Sequence, residues 1–187
     1  MTSTIKVDTI QTAAGGTPTA ADLGLNVSGS VLQVVSATKS DIWSSSATTG
    51  QEIDITGLSA TITPTSASSK ILVATTVHGS RSGDYAIFAF STYRNGTLIG
   101  AGDASGSGSR VTAVNFVFGA SDVNNIANPS NTFLDAPATT SALTYQIKAV
   151  NVSGATRTLY VNYAANQAAD AGGVRPISTI TLMEIAQ

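Results

Sequence analysis

From Val31 onward the chain alternates apolar and polar residues with the period of β-strands, not of helices. Ile177 to Ile185 (Ile-Ser-Thr-Ile-Thr-Leu-Met-Glu-Ile) runs without Gly or Pro. Ile177, Met183 and Ile185 fall on one face of it, and Ile180 and Leu182 on the other. Apolar residues on both faces predict an interior strand, covered from two sides, that closes a sheet built by earlier strands. Lys70-Ile-Leu-Val-Ala-Thr-Thr-Val has the same two-faced pattern and is expected to be central. Val31-Leu-Gln-Val-Val-Ser-Ala-Thr is a further β-rich run, and Gln51 to Thr56 and Ala60 to Thr63 read as two short strands parted by Gly57-Leu58.

Tyr85 to Arg94 sets Phe88 and Phe90 against Tyr85, Ile87 and Tyr93, and Asn95-Gly96 follows at once. Asn-Gly between two apolar-alternating runs is the strongest short-range hairpin signal, because both residues tolerate positive φ. Arg110 to Phe118 returns to strand, with Val114, Phe116 and Phe118 on one face and Val111 and Val117 on the other. Asn131 to Ala136 is a short strand stopped by Pro137, and Leu143, Tyr145 and Ile147 point inward from the run Leu143 to Asn151. Ser153-Gly154 is expected to turn the chain so that Arg157 to Ala164 runs back, with Leu159, Val161 and Tyr163 aligned. The tally is roughly eight to ten strands with turns spaced as in sandwiches and barrels. The fold class is therefore all-β: an antiparallel β-sandwich, jelly-roll-like, over residues 31–187.

Residues 1–30 read differently. Ile5 and Val7 oppose Lys6 and Asp8 in a short alternating run that ends at Ile10. A turn-rich linker follows, and then Ala20 to Leu25, a single helical turn carrying Leu23 and Leu25. Such a segment buries little by itself. It is either a loose terminus or an arm that docks on a neighbour through Ile5, Val7, Asp8, Ile10, Leu23 and Leu25.

Composition sharpens this picture. Charged residues are only 11% of the chain, against about 25% in ordinary globular proteins. Thr, Ser, Ala and Gly fill the gap, so the surface either exposes hydroxyls or is hidden against copies of the chain; the second is the favoured reading. A net charge of −2 and nine scattered basic residues leave no footprint for nucleic acid. No apolar run approaches the roughly 18 residues of a membrane span, and the N-terminus lacks the apolar centre of a secretory signal, so assembly in a cytoplasm is expected. Without Cys, neither disulfides nor thiolate metal ligands are available.

Candidate chemistry is sparse. His78 is the sole histidine, with no nucleophile-elbow motif to partner it, and the structural reading of it is preferred. Glycoside hydrolysis needs two facing carboxylates about 5–9.5 Å apart, and nothing in the spacing of two Glu and nine Asp selects a pair. The Gly102-Asp-Ala-Ser-Gly-Ser-Gly-Ser-Arg stretch lacks the Lys-Ser/Thr ending of a phosphate loop and precedes a strand. Asp122-Val-Asn-Asn has no calcium-loop spacing. Neither metal nor cofactor is expected. Arg81, Asp84 and Tyr85, together with Asp103 and Arg110, offer the mixture of rings and polar groups that sugar sites use. The same residues also serve as ordinary packing and rim groups at strand ends.

The opening Ser3-Thr-Ile-Lys-Val-Asp-Thr-Ile-Gln resembles the start of tail-fibre-like proteins of tailed bacteriophages, especially those of cyanobacteria and marine bacteria. Val31-Leu-Gln-Val-Val, Ile62-Thr-Pro-Thr-Ser-Ala-Ser-Ser-Lys-Ile-Leu-Val, Asn131-Thr-Phe-Leu-Asp-Ala-Pro-Ala-Thr-Thr-Ser and Ser178-Thr-Ile-Thr-Leu-Met-Glu-Ile extend the likeness over nearly the whole chain. It implies a trimeric, non-enzymatic virion protein that contacts other virion proteins through its arm and host surface polysaccharide through distal loops. It carries no catalytic residues with it. The chain departs from a long fibre in having no shaft repeat. A tail fibre or appendage is the first expectation, a capsid decoration or cement protein the second, and a polysaccharide-degrading enzyme the third.

Overall fold

A computed structural model describes residues 9–18, 23, 28–83, 86–117, 125–164 and 173–187. Among them lie twelve strands: β1 (Val31–Lys39), β2 (Trp43–Ala47), β3 (Glu52–Ile62), β4 (Lys70–Thr76), β5 (Gly79–Arg81), β6 (Ala86–Arg94), β7 (Thr97–Ile99), β8 (Ala113–Val117), β9 (Ser130–Asp135), β10 (Leu143–Val150), β11 (Arg157–Val161) and β12 (Ser178–Ile185). One sheet has the order β1-β12-β4-β9; a second has β3-β10-β6-β7, with β8 also paired to β6; the third is β2-β11-β5. Every strand pairing is antiparallel.

Counting β1, β3, β4, β6, β8, β9, β10 and β12 as the principal strands, one sheet holds the first, eighth, third and sixth, and the other the second, seventh, fourth and fifth. That is a jelly-roll order. The two sheets bury one shared core, with Ile71, Val73, Ile180 and Leu182 from one side meeting Ile55, Leu58, Phe88, Phe90, Tyr145 and Ile147 from the other. Alternation does this: in β12 the residues Ile180, Leu182 and Glu184 face in, and in β10 Leu143, Tyr145 and Ile147 do. A polar cluster closes one margin of the sandwich, where Arg94 Nη1 donates to both oxygens of Asp135 at 2.6 Å and the Tyr145 hydroxyl donates to Asp135 Oδ2 at 2.6 Å.

Four expectations are corrected. β3 is one strand: Asp54 pairs with Lys148 and Ser59 with Gln146, so Ile55, Thr56, Gly57 and Leu58 lie opposite Ile147 alone. A bulge with Gly57 at φ +86° absorbs the extra residues, and so the glycine bends the strand without ending it. The Ser153-Gly154 turn makes no hairpin. Val150 pairs with Glu52 and Ala89, and past the turn Arg157 pairs with Ala47 and Leu159 with Arg81, so β11 prolongs β10 between continuations of the same neighbours. Asn151 holds the interruption, donating to the carbonyls of Ala47 and Ala155 and accepting from Ser153. The closing strand starts at Ser178, leaving Ile177 outside it and exposed. It is interior between β1 and β4, yet its Met183/Ile185 face is only half-buried, so the core covers one side of it.

The Asn95-Gly96 hairpin forms between β6 and β7 as expected, with φ +47° and +81° at its two turn residues. The strand expected over Thr4 to Ile10 and the helical turn over Ala20 to Leu25 lie largely outside the described residues; Thr9 and Ile10 are described and are not in a strand.

Candidate interaction surfaces

Register places the outward residues of the β1-β12-β4-β9 sheet in rows across its four strands. One row is Val34, Met183, Leu72 and Leu134; the next is Ser36, Thr181, Ala74 and Thr132; the third is Thr38, Thr179, Thr76 and Ser130. None of these twelve side chains is charged. The edge-strand members are exposed, Val34 by 56% and Leu134 by 48%, and those of β12 and β4 are half-buried. Beyond the apolar row, Val31 pairs with Ile185 and Ile185 with Lys70, which brings the first charge of the face. The face is thus apolar at one end and hydroxyl-lined at the other.

A second surface is the loop between β7 and β8. Gly102, Asp103, Ser105, Gly108, Ser109, Arg110 and Val111 line an open depression of about 280 Å³. Arg110 Nε donates to the Gly102 carbonyl at 2.7 Å, so this side chain braces its own loop. Beneath it Glu52 accepts hydrogen bonds from the hydroxyls of Ser91 (2.7 Å) and Tyr93, and Lys148 lies 4.4 Å from the Tyr93 ring centre and 3.2 Å from Asp54. Burial, reinforced by the hydrogen bond and charge of Glu52, pushes the Tyr93 phenol up to about 12. Glu52 is therefore tied into the sheet through both oxygens. Asp103 and Arg110 give the depression acceptors and donors suited to hydroxyl-rich ligands.

The expected loop site divides. Asp103 and Arg110 share the depression, whereas Arg81 is 7% exposed within β5, paired with Leu159 of the third sheet. Placing Arg81 on a loop is thus corrected: Gly79-Ser-Arg has no strand propensity of its own, but pairing with β11 recruits it. The β7–β8 loop leaves β7 opposite Thr92 of β6 and enters β8 opposite Phe90, and β6 begins at Ala86, four residues before Phe90 and about 13 Å away along the strand. Asp84 and Tyr85 lie outside the described residues, as do Ile5, Val7, Asp8 and Leu25 of the arm; Ile10 and Leu23 are described and exposed.

Two groups have roles that sequence reasoning left unassigned. Glu184 is fully buried, accepting from Gln33 Nε2 (2.6 Å), Thr65 N (2.7 Å) and Thr65 Oγ1 (2.7 Å). Burial pushes its carboxyl up, but the hydrogen bonds, that from Gln33 foremost, outweigh burial and hold it below the usual carboxylate range. Asn162 is also fully buried, at φ +64°; it donates to the carbonyls of Lys39 and Asp41 and accepts from Ser178 Oγ at 2.7 Å. His78 belongs to this network: its backbone N–H donates to Ser178 Oγ, its carbonyl accepts from Asn162, and its Nδ1 bonds the Ile177 carbonyl at 2.8 Å. A polar residue inside an apolar alternation, as Glu184 is beside Leu182, was the available signal. Among the described residues no three His, Asp or Glu side chains come together as a metal site.

No family model matches the chain, and no curated protein matches it. Among solved structures, that of infectious bursal disease virus, Gt strain, is similar at 15% identity and a TM-score of 0.37, with 83% of this chain aligned. The chain spans 38% of the length of that viral protein.

Proposed function

We propose that this chain is a non-enzymatic structural protein of a bacteriophage particle: a homotrimeric tail fibre or tail appendage, held to other virion proteins by residues 1–30 and presenting distal loops to host surface polysaccharide. The observation that carries the reading is the twelve-residue uncharged outer face of the β1-β12-β4-β9 sheet. An exposed face of this kind fits permanent assembly better than free solution. The phage resemblance of Ser3 to Gln11 and of the closing strand supports the same reading, as do the Asp103 and Arg110 groups of the β7–β8 depression for sugar contact.

Quantitative mass spectrometry of purified particles tests it. A few copies per particle are expected. Hundreds would move the protein to the capsid shell as a decoration protein, and absence from particles would overturn the virion reading. Release of reducing ends from host polysaccharide by the purified chain would replace it with an enzymatic one.

A further inference from the structure

We propose that the outer face of the β1-β12-β4-β9 sheet seats a second copy of this chain, with the row Val34, Met183, Leu72 and Leu134 at the centre of the contact. The inference rests on the homotrimer proposed above and names the surface that each copy turns toward its neighbours about the three-fold axis. Size comes first. Four strands at about 4.8 Å and four rows at about 6.8 Å, the fourth being the rim row of Val31, Ile185 and Lys70, give a face of roughly 500 Å². Two copies together then bury about 1,000 Å², the threshold for a specific interface.

Shape comes second. The rows run across all four strands, whereas a single extended peptide would follow one strand and cover a fraction of the width. A sheet-sized partner is required, and sheets stack face to face at about 10 Å when the side chains between them are small or apolar. Ser36, Thr181, Ala74 and Thr132 provide that small row beside the apolar one. Charge comes third: copies presenting the same face toward one another meet no like-charge repulsion across the three rows, and Lys70 stands at the margin, where solvent reaches it. The hydroxyls of Thr38, Thr179, Thr76 and Ser130 can bond one another or water there, so closing the contact strands no charge.

The test uses the full chain. Sedimentation equilibrium of the unmodified protein is expected to show an oligomer, and V34K/L134K a monomer with an unchanged β-sheet circular dichroism spectrum; both sites are exposed edge-strand positions, so the fold tolerates them. Because the chain has no cysteine, S36C and V114C give single-thiol probes. Ser36 lies on the proposed contact and Val114 on the exposed side of β8, 42% exposed. A bulky maleimide is expected to label V114C quickly and S36C slowly under native conditions. If V34K/L134K fails to fold, protection of S36C decides. An oligomer in which V34K/L134K still assembles and S36C labels as fast as V114C overturns the assignment of this face and leaves self-association standing. A monomeric unmodified protein sinks the self-associating reading itself.

Discussion

Glu184 is a charge placed where charge is costly, and its surroundings are built for the ionised form. Its hydrogen bonds from Gln33 and Thr65 all come from donors, so a Gln at this position keeps the shape but turns an amide NH₂ toward a donor. E184Q is expected to lose about 1–3 kcal/mol of folding stability, read as a shift in the urea midpoint. The pH dependence has a definite sign. The folded pKa is lowered, so the carboxylate stabilises the fold above its unfolded value, and that contribution is lost as the pH falls through the folded value. Acidification is therefore expected to lower the urea midpoint of the natural chain more steeply than that of E184Q. Tyr93 has the opposite sense: its phenol, pushed up to about 12, favours the folded state below the unfolded tyrosine value and loses that contribution as the pH rises through about 12.

Among the elements, those whose alternation faces a core on one side were legible in the sequence. β4, β10 and β12 declare themselves because Ile71, Val73, Tyr145, Ile147, Ile180 and Leu182 recur at a period of two and all are buried. Leu182→Asp places an unpaired carboxylate amid that core and is expected to cost about 4 kcal/mol or more, seen as a product that does not refold. The β6–β7 hairpin was legible for a different reason, since Asn95-Gly96 alone specifies its turn. Gly96→Ala, at φ +81°, is expected to cost about 1–2 kcal/mol in thermal or urea unfolding. Legibility failed where pairing, not propensity, makes the strand. Trp43-Ser-Ser-Ser-Ala and Gly79-Ser-Arg are strands because each bonds one side of β11, and no local pattern announces a partner that lies 110 to 118 residues away for the first and 78 to 82 for the second. The loop site failed likewise: Arg81 was assigned by its polar neighbours in sequence, yet β11 draws it into a sheet. The outer face of β12 was visible as apolar residues on a second side, but which layer covers that side is a property of assembly rather than of one chain's spacing.

At the scale of the molecule, Gly29 and Ser30 meet the end of the closing strand at one corner of the sandwich. Gly29 N–H donates to the Ala186 carbonyl at 2.8 Å, and Ala186 N–H to the Ser30 carbonyl at 2.9 Å. Removing residues 1–24 spares these bonds and every strand among the described residues, so the truncated protein is expected to fold and self-associate as before while failing to join particles. Sedimentation and incorporation into particles during infection check the two halves separately. The corner also joins β1 to β12 along their length, from Val31 opposite Ile185 to Lys39 opposite Ser178. Consequently, a nascent polypeptide carries β1 and β4 with no neighbour between them until residues 178–185 have cleared the ribosome tunnel. A product stalled short of that point would offer two open strand margins to any other chain nearby, which makes the emergence of residues 178–185 the gate to a soluble product.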